Sequence, residues 1–93
     1  MKINLHEAIS KKFDINEIKK LINNHNINVK DLNGNTPLHV AVSKVNTEIV
    51  KLLLDKNVNT NTQDKQGNTP LHLAVLKSNK ALAKLLLDSG ANV

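Results

Sequence analysis

G-N-T-P-L-H-V-A, at residues 34–41, recurs as G-N-T-P-L-H-L-A at residues 67–74. The two octapeptides begin 33 residues apart, and a fixed period of about 20–50 residues is typical of chains built from stacked supersecondary units. A stack of this kind offers an extended surface, so we do not expect a buried reaction centre.

Each octapeptide predicts the start of a helix. The hydroxyl of Thr36 or Thr69 can accept a backbone N–H. Pro37 or Pro70 then stands at the first helical position, where a missing N–H costs nothing. We therefore expect short helices over about residues 37–44 and 70–77.

A second helix is expected after each of these. Ile49, Leu52 and Leu53 keep the helical spacing of a buried stripe, which places the second helices at about residues 48–55 and 80–88. Their candidate N-caps are Asn46 or Thr47 and Ser78 or Asn79. The residues expected to end helices or turns in a left-handed conformation are Gly34, Asn57, Gly67 and Gly90.

An earlier, degenerate copy precedes these two. Residues 5–9 read L-H-E-A-I and lie 33 residues before L-H-V-A-V, but the Thr-Pro is missing. Its helices, the second over about residues 15–23, are expected to start at the capping-box-like pairs Asn4/Glu7 and Asp14/Glu17.

These segments resemble the ankyrin-repeat family. Residues 31–41 and 64–74 are similar to the opening of a repeat, and residues 49–54 and 85–93 are similar to its second helix and following loop. The resemblance implies an all-α solenoid of helix-turn-helix units joined by β-hairpin-like loops. It implies one domain over residues 1–93, with units at about 1–30, 31–63 and 64–93.

Composition limits the other classes of function. The 93 residues contain no cysteine, one aromatic residue (Phe13) and 13 basic residues, all lysine, for a net charge of +5. No apolar run approaches the roughly 18–20 residues of a membrane span, and no secretory signal is evident at the N-terminus. We expect an intracellular, cytoplasmic protein with no membrane partner.

No constellation of residues predicts catalysis. Equivalent histidines of stacked units, His6, His39 and His72, should lie about 8–10 Å apart, too far to share a metal with bonds of about 2 Å. The resemblance implies that they tie each unit to its neighbour, and His25 is expected in a solvated loop. The carboxylates are scattered and the glycines single, so we expect no catalytic residue, metal, cofactor or small-molecule substrate.

The resemblance implies a protein-interaction scaffold or adaptor whose partner protein docks on the hairpin tips and on the concave face of the first helices. The matching positions are Leu32, Asn33, Asn35, Ser43, Lys44, Lys65, Gln66, Asn68, Leu76 and Lys77. The residues expected to shape the framework are Gly34, Thr36, Pro37, His39, Gly67, Thr69, Pro70 and His72. Leu32 and Leu76 are large apolar side chains at positions that should see solvent.

Three alternatives stay open. The apolar C-terminal helix could mediate self-association or continue into a longer array, in which case charges at Leu82 or Leu86 should abolish assembly. Asn61 matches a loop asparagine that is hydroxylated in some family members, although a loop-stabilising role is favoured. The third alternative is weak polyanion binding through Lys11, Lys12, Lys19, Lys20 and Lys30. Specific nucleic-acid binding is not expected, because arginine and aromatic platforms are missing.

Overall fold

The computed structural model describes residues 4–23 and 26–91. Within these ranges the chain forms six α-helices and no strand, which confirms the all-α prediction. His25 lies outside the described residues. The helices are α1 (Leu5–Ser10), α2 (Ile15–Leu21), α3 (Pro37–Ser43), α4 (Thr47–Asp55), α5 (Pro70–Leu76) and α6 (Lys80–Asp88).

Consecutive helices contact each other as three pairs, α1 with α2, α3 with α4 and α5 with α6. The first helices of the pairs form a row in which α3 contacts both α1 and α5. The stack measures 38 Å along its longest axis. Three helix pairs match the number of units expected from the sequence, whereas the unit boundaries near residues 30 and 63 stay predictions.

The first helices of the second and third pairs start with the same reciprocal cap. Thr36 Oγ1 accepts the N–H of His39 at 3.3 Å, and the N–H of Thr36 is donated to His39 Nδ1 at 3.1 Å. Thr69 and His72 repeat both bonds. Histidine thus takes the place that glutamate or glutamine holds in the usual capping box. Each helix ends one residue earlier than expected from the sequence.

Asparagine, and not its neighbour, caps each second helix of these two pairs. The side chain of Asn46 accepts the N–H of Ile49, and that of Asn79 accepts the N–H of Leu82. The other two candidates fail for local reasons: Thr47 is already helical, and Ser78 has a φ of 54°.

The first helix pair begins with other caps. Asn4 Oδ1 accepts the N–H of Glu7, as expected. Asp14 Oδ1 accepts the N–H of Asn16 rather than that of Glu17. The second helix of this pair ends two residues before its expected end, because Ile22 turns into an extended conformation.

The core is aliphatic and continuous through all three pairs. Its fully buried members include Ile9, Ile18 and Leu53. Leu82 and Leu86 are also fully buried, on the inner side of α6. A charge at either leucine would disrupt the fold itself, so these substitutions cannot serve as the test of self-association, which stays a prediction.

The residue between the two helices of each pair adopts a left-handed conformation. Lys12, Val45 and Ser78, spaced 33 residues apart, have φ values of 59°, 54° and 54°. Valine is branched at Cβ and is poorly suited to positive φ. Val45 is also 45% exposed, so little burial offsets this cost.

We predict that Val45→Gly stabilises the protein. Relief of left-handed strain should gain about 1–2 kcal/mol, and the greater freedom of glycine in the unfolded chain should cost about 0.5–1 kcal/mol. The net gain in the free energy of unfolding, measured by urea denaturation, should be about 0.5–1 kcal/mol. The matched control is Lys44→Gly, at a residue with a φ of −86°, which should destabilise. Equal effects of the two substitutions would contradict the assignment of strain to Val45.

Candidate functional site

The imidazole of His39 lies at the junction between the second and third helix pairs. Its Nδ1 accepts the N–H of Thr36, so the ring proton must be on Nε2. Nε2 lies 2.8 Å from the carbonyl oxygen of Asn68, in the loop that precedes α5, and donates to it. His6 makes the equivalent contact with the carbonyl oxygen of Asn35, also at 2.8 Å. One histidine therefore joins a helix cap to the next loop.

His72 has the same ring orientation, but no later loop among the described residues accepts from it. The N–H of Thr69 is donated to its Nδ1 at 3.0 Å, which again leaves the proton on Nε2. The ring is exposed, whereas His39 is 1% exposed. Among residues 4–23 and 26–91, Nε2 of His72 has no hydrogen-bond partner. In the same ranges no group of three metal-ligating side chains could hold an ion.

Two aspartates shape the loops before α3 and α5. Asp31 Oδ1 accepts the N–H groups of Asn33 and Asn35, each at 2.9 Å. Asp64 Oδ1 accepts the N–H groups of Gln66 and Asn68 in the same way, also at 2.9 Å. Each carboxylate fixes the direction in which the tip side chains leave the backbone.

The two loop tips are also bonded to each other. The N–H of Lys65 is donated to the carbonyl oxygen of Asn33 at 3.1 Å. Gly34 permits this approach, because its φ is +80° and a Cβ there would lie 2.9 Å from the Lys65 nitrogen. Any larger residue at Gly34 would therefore separate the tips.

The environment lowers the pKa of Asp64. Desolvation alone would raise it, but the backbone N–H groups of Asn68 and Gln66, and the nearby His39, outweigh that effect. The ionised carboxylate is therefore the form that the loop stabilises.

A groove about 240 Å³ in volume runs between α3 and the loop before α5. Its lining consists of Asn35, His39, Val40, Ser43, Lys44, Asp64, Gln66 and Leu73. A second depression, about 320 Å³, lies at the loop tips and is lined by Asn33, Asn35, Asp64, Lys65 and Gln66. The two depressions share Asn35, Asp64 and Gln66, so they form one continuous surface, which we call the tip groove.

The tip groove brings together six of the residues that the sequence analysis proposed for binding: Asn33, Asn35, Ser43, Lys44, Lys65 and Gln66. Asn68 contributes to the framework, through the carbonyl oxygen that accepts from His39. Leu32, 88% exposed, lies in a separate depression at the first loop tip. Leu76, 72% exposed, and Lys77 lie at the C-terminal end of α5.

Sequence reasoning missed three residues of the groove. Val40 and Leu73 form its half-buried apolar floor, and Asp64 is its one carboxylate. The spacing of the repeat could have indicated the floor, because Val40 and Leu73 are equivalent positions 33 residues apart.

The remaining candidates occupy other places. The five lysines of the first helix pair and its loop are all exposed, and Lys11 Nζ lies 3.8 Å from Glu7 Oε2. Asn61 Nδ2 lies 3.5 Å from the carbonyl oxygen of Gly90, a position consistent with joining two loops. No helix in the described part of the chain is long and apolar enough to cross a membrane.

Known proteins match this chain through the same repeats. A family model of ankyrin repeats, in three copies, matches residues 5–93. Ankyrin repeat domain-containing protein 13C-B of Xenopus laevis is 50% identical over 50 residues, which cover 54% of this chain and 10% of that protein. The human ankyrin repeat domain-containing protein 13C is 48% identical over 50 residues, covering 54% and 9%. Putative ankyrin repeat protein L484 of Acanthamoeba polyphaga mimivirus is 46% identical over 37 residues, covering 40% and 2%. The matched part of this chain thus spans a tenth or less of each relative.

We predict that His39→Ala and His72→Ala differ in their cost to stability. Both variants lose one bond of the reciprocal cap, the one accepted by Nδ1, worth about 1 kcal/mol, and keep the bond from the backbone N–H to the threonine hydroxyl. Only His39→Ala also opens a cavity and leaves the Asn68 carbonyl without its donor, for a total loss of about 2–4 kcal/mol. Urea denaturation of the two variants measures the difference. Equal losses would show that the bond between helix pairs contributes nothing.

We predict that the contribution of Asp64 to stability disappears in acid. Because the pKa of Asp64 is lowered in the folded protein, its contribution is complete above the unfolded value of about 3.9. It declines as the pH falls through the lower, folded pKa. The wild type should therefore exceed Asp64→Asn in free energy of unfolding near neutral pH, and the difference should narrow in acid. A difference independent of pH would contradict this role.

Proposed function

The chain belongs to the ankyrin-repeat family, and from that premise we propose that it is a protein-interaction module, a scaffold or adaptor that binds a partner protein through the tip groove. Ankyrin repeats are generally protein-interaction modules. The observation that carries the proposal is the groove itself, in which neighbouring repeats contribute side chains to one continuous surface.

The geometry supports binding without rearrangement. The backbone groups around the groove bond to one another, through the Asp64 carboxylate, the His39 ring and the link between the loop tips. The amide and ammonium groups of Gln66 and Lys65 are on exposed residues and can meet a ligand. A surface held in this way loses little conformational entropy when a partner docks, which favours affinity.

The chemistry of the groove favours a polar partner segment that carries acidic side chains. Lys44 and Lys65 provide two positive charges against the single carboxylate of Asp64. The apolar floor of Val40 and Leu73 is half buried and can receive a small aliphatic side chain. Lysine and amide groups at the edge and an apolar floor at the centre are the usual arrangement of an interface.

We propose no catalytic activity. The groove contains one carboxylate and one imidazole near each other, Asp64 and His39, and both already serve the framework through their hydrogen bonds. The intracellular, cytoplasmic location expected from the sequence stays part of the proposal. Weak polyanion binding through the lysines of the first pair also stays part of the proposal. It would be recognised by a steep loss of affinity as the salt concentration rises.

We predict that Lys65→Glu combined with Lys44→Glu, both in the tip groove, abolishes partner binding and leaves the fold intact. Both residues are exposed, so the free energy of unfolding should change by less than about 0.5 kcal/mol. Affinity capture from a lysate of the source organism, compared between wild type and variant, measures the effect. The matched control is Lys51→Glu, on the exposed side of α4, which should retain the partner. Equal recovery by all three proteins would contradict the proposal.

A further inference from the structure

The third helix pair exposes residues whose equivalents in the second pair are buried. His39, Val42 and Val50 are at most 1% exposed. The residues 33 positions later are His72, which is exposed, Val75, which is 63% exposed, and Ala83, which is partly exposed. Leu87, 42% exposed, is equivalent to Leu54, which is half-buried. We call His72, Val75, Ala83 and Leu87 the end face.

The end face is one surface. Val75 and Ala83 line the same depression between α5 and α6, about 250 Å³ in volume. Leu87 follows Ala83 by one turn of α6 and therefore extends the same side of the helix. On α5, His72 precedes Val75 by three residues, which also places the two side chains on one side. The equivalent side of α3 is covered by a helix, α5, so the end face has the shape that receives a helix.

The rim of the end face is basic. Lys80 lines the same depression as Val75 and Ala83. Lys84 follows Lys80 by one turn of α6, so two lysines border the apolar residues on that side of the helix. One acid, Asp88, lies at the far end of α6. Within the described ranges no ion pair engages any of these lysines.

This charge pattern disfavours a second copy of the chain as the occupant. Two end faces brought together would gather four lysines, Lys80 and Lys84 of each copy, against two aspartates, Asp88 of each copy, and so keep an excess of positive charge. A stack of the end face onto the first pair would meet Glu7, which takes the place of Val40 and Leu73 in the repeat. Glu7 is exposed and lies 3.8 Å from Lys11, and burying these charges against Val75 would cost more than the contact returns.

We propose that the end face binds an amphipathic helix of a partner protein, one whose apolar stripe is bordered by acidic side chains. The stripe covers Val75 on α5, as α5 itself covers the equivalent side of α3, and it also covers Ala83 and Leu87 on α6. The acidic border meets Lys80 and Lys84, and one carboxylate oxygen accepts the free N–H of His72 Nε2. This site is separate from the tip groove and does not depend on a partner there.

The test uses two synthetic helical peptides of about 16 residues with the same leucine stripe, bordered by glutamates in one and by lysines in the other. Each is titrated into the isotope-labelled full chain, and backbone NMR shifts report the site. The glutamate-bordered peptide should shift the end face and bind at least about tenfold more tightly than the other. Its affinity should fall between about 50 mM and about 500 mM salt, as the charges are screened.

Val75→Glu and Leu87→Glu should each weaken the glutamate-bordered peptide about tenfold or more. Both residues are exposed, so the fold should persist, and an unchanged spectrum elsewhere checks this. Leu32→Glu, at a more exposed apolar residue on another surface, should bind the peptide as the wild type does. Four outcomes would overturn the proposal: no binding, equal binding of both peptides, shifts confined to the tip groove, or self-association of the protein alone that Val75→Glu removes.

Discussion

The hydrogen bond from a histidine Nε2 to the carbonyl oxygen of the next loop sets the spacing of the stack. The ring of His39 makes this bond while its other nitrogen accepts the N–H of Thr36. A local motif at the start of α3 is thereby joined to a residue 29 positions further along the chain. The alignment of the loop tips, and with it the tip groove, depends on that connection, since Asn68 also closes the loop that Asp64 shapes.

Much of this architecture is encoded locally, which is why the sequence predicted it. In the Thr-Pro-Leu-His motif, threonine is the N-cap, proline has a φ suited to the first helical position, and the histidine ring completes the cap. The ends of α3 and α5 could therefore be predicted to within one residue. Features that packing decides could not be predicted from the sequence. Val45 adopts a positive φ although valine is poorly suited to it, so the sequence did not predict this conformation. Leu82 and Leu86 belong to a nearly uncharged stretch, and only the packing of α6 shows that they lie inside. The contribution of Asp64, Val40 and Leu73 to the groove depends on the meeting of two repeats.

The molecule presents two surfaces of different character. The tip groove is polar, and hydrogen bonds within the framework fix its backbone. The end face is apolar and has a lysine rim. Val75 is equivalent to Val42, but Val42 is buried by the next pair whereas Val75 is exposed. The repeat therefore supplies both surfaces. Contact between neighbouring pairs forms the tip groove. No described helix covers the outer side of the third pair, so the end face is exposed.

The nitrogen NMR spectrum of the imidazoles tests the central claim most directly. Near neutral pH, His39 should be a single tautomer with its proton on Nε2, and this proton should exchange slowly with water because Asn68 accepts it. His72 should show the same tautomer with rapid exchange, because its Nε2 is open. A proton on Nδ1 of His39, or a rapid mixture of tautomers, would contradict the claim that this ring joins one repeat to the next.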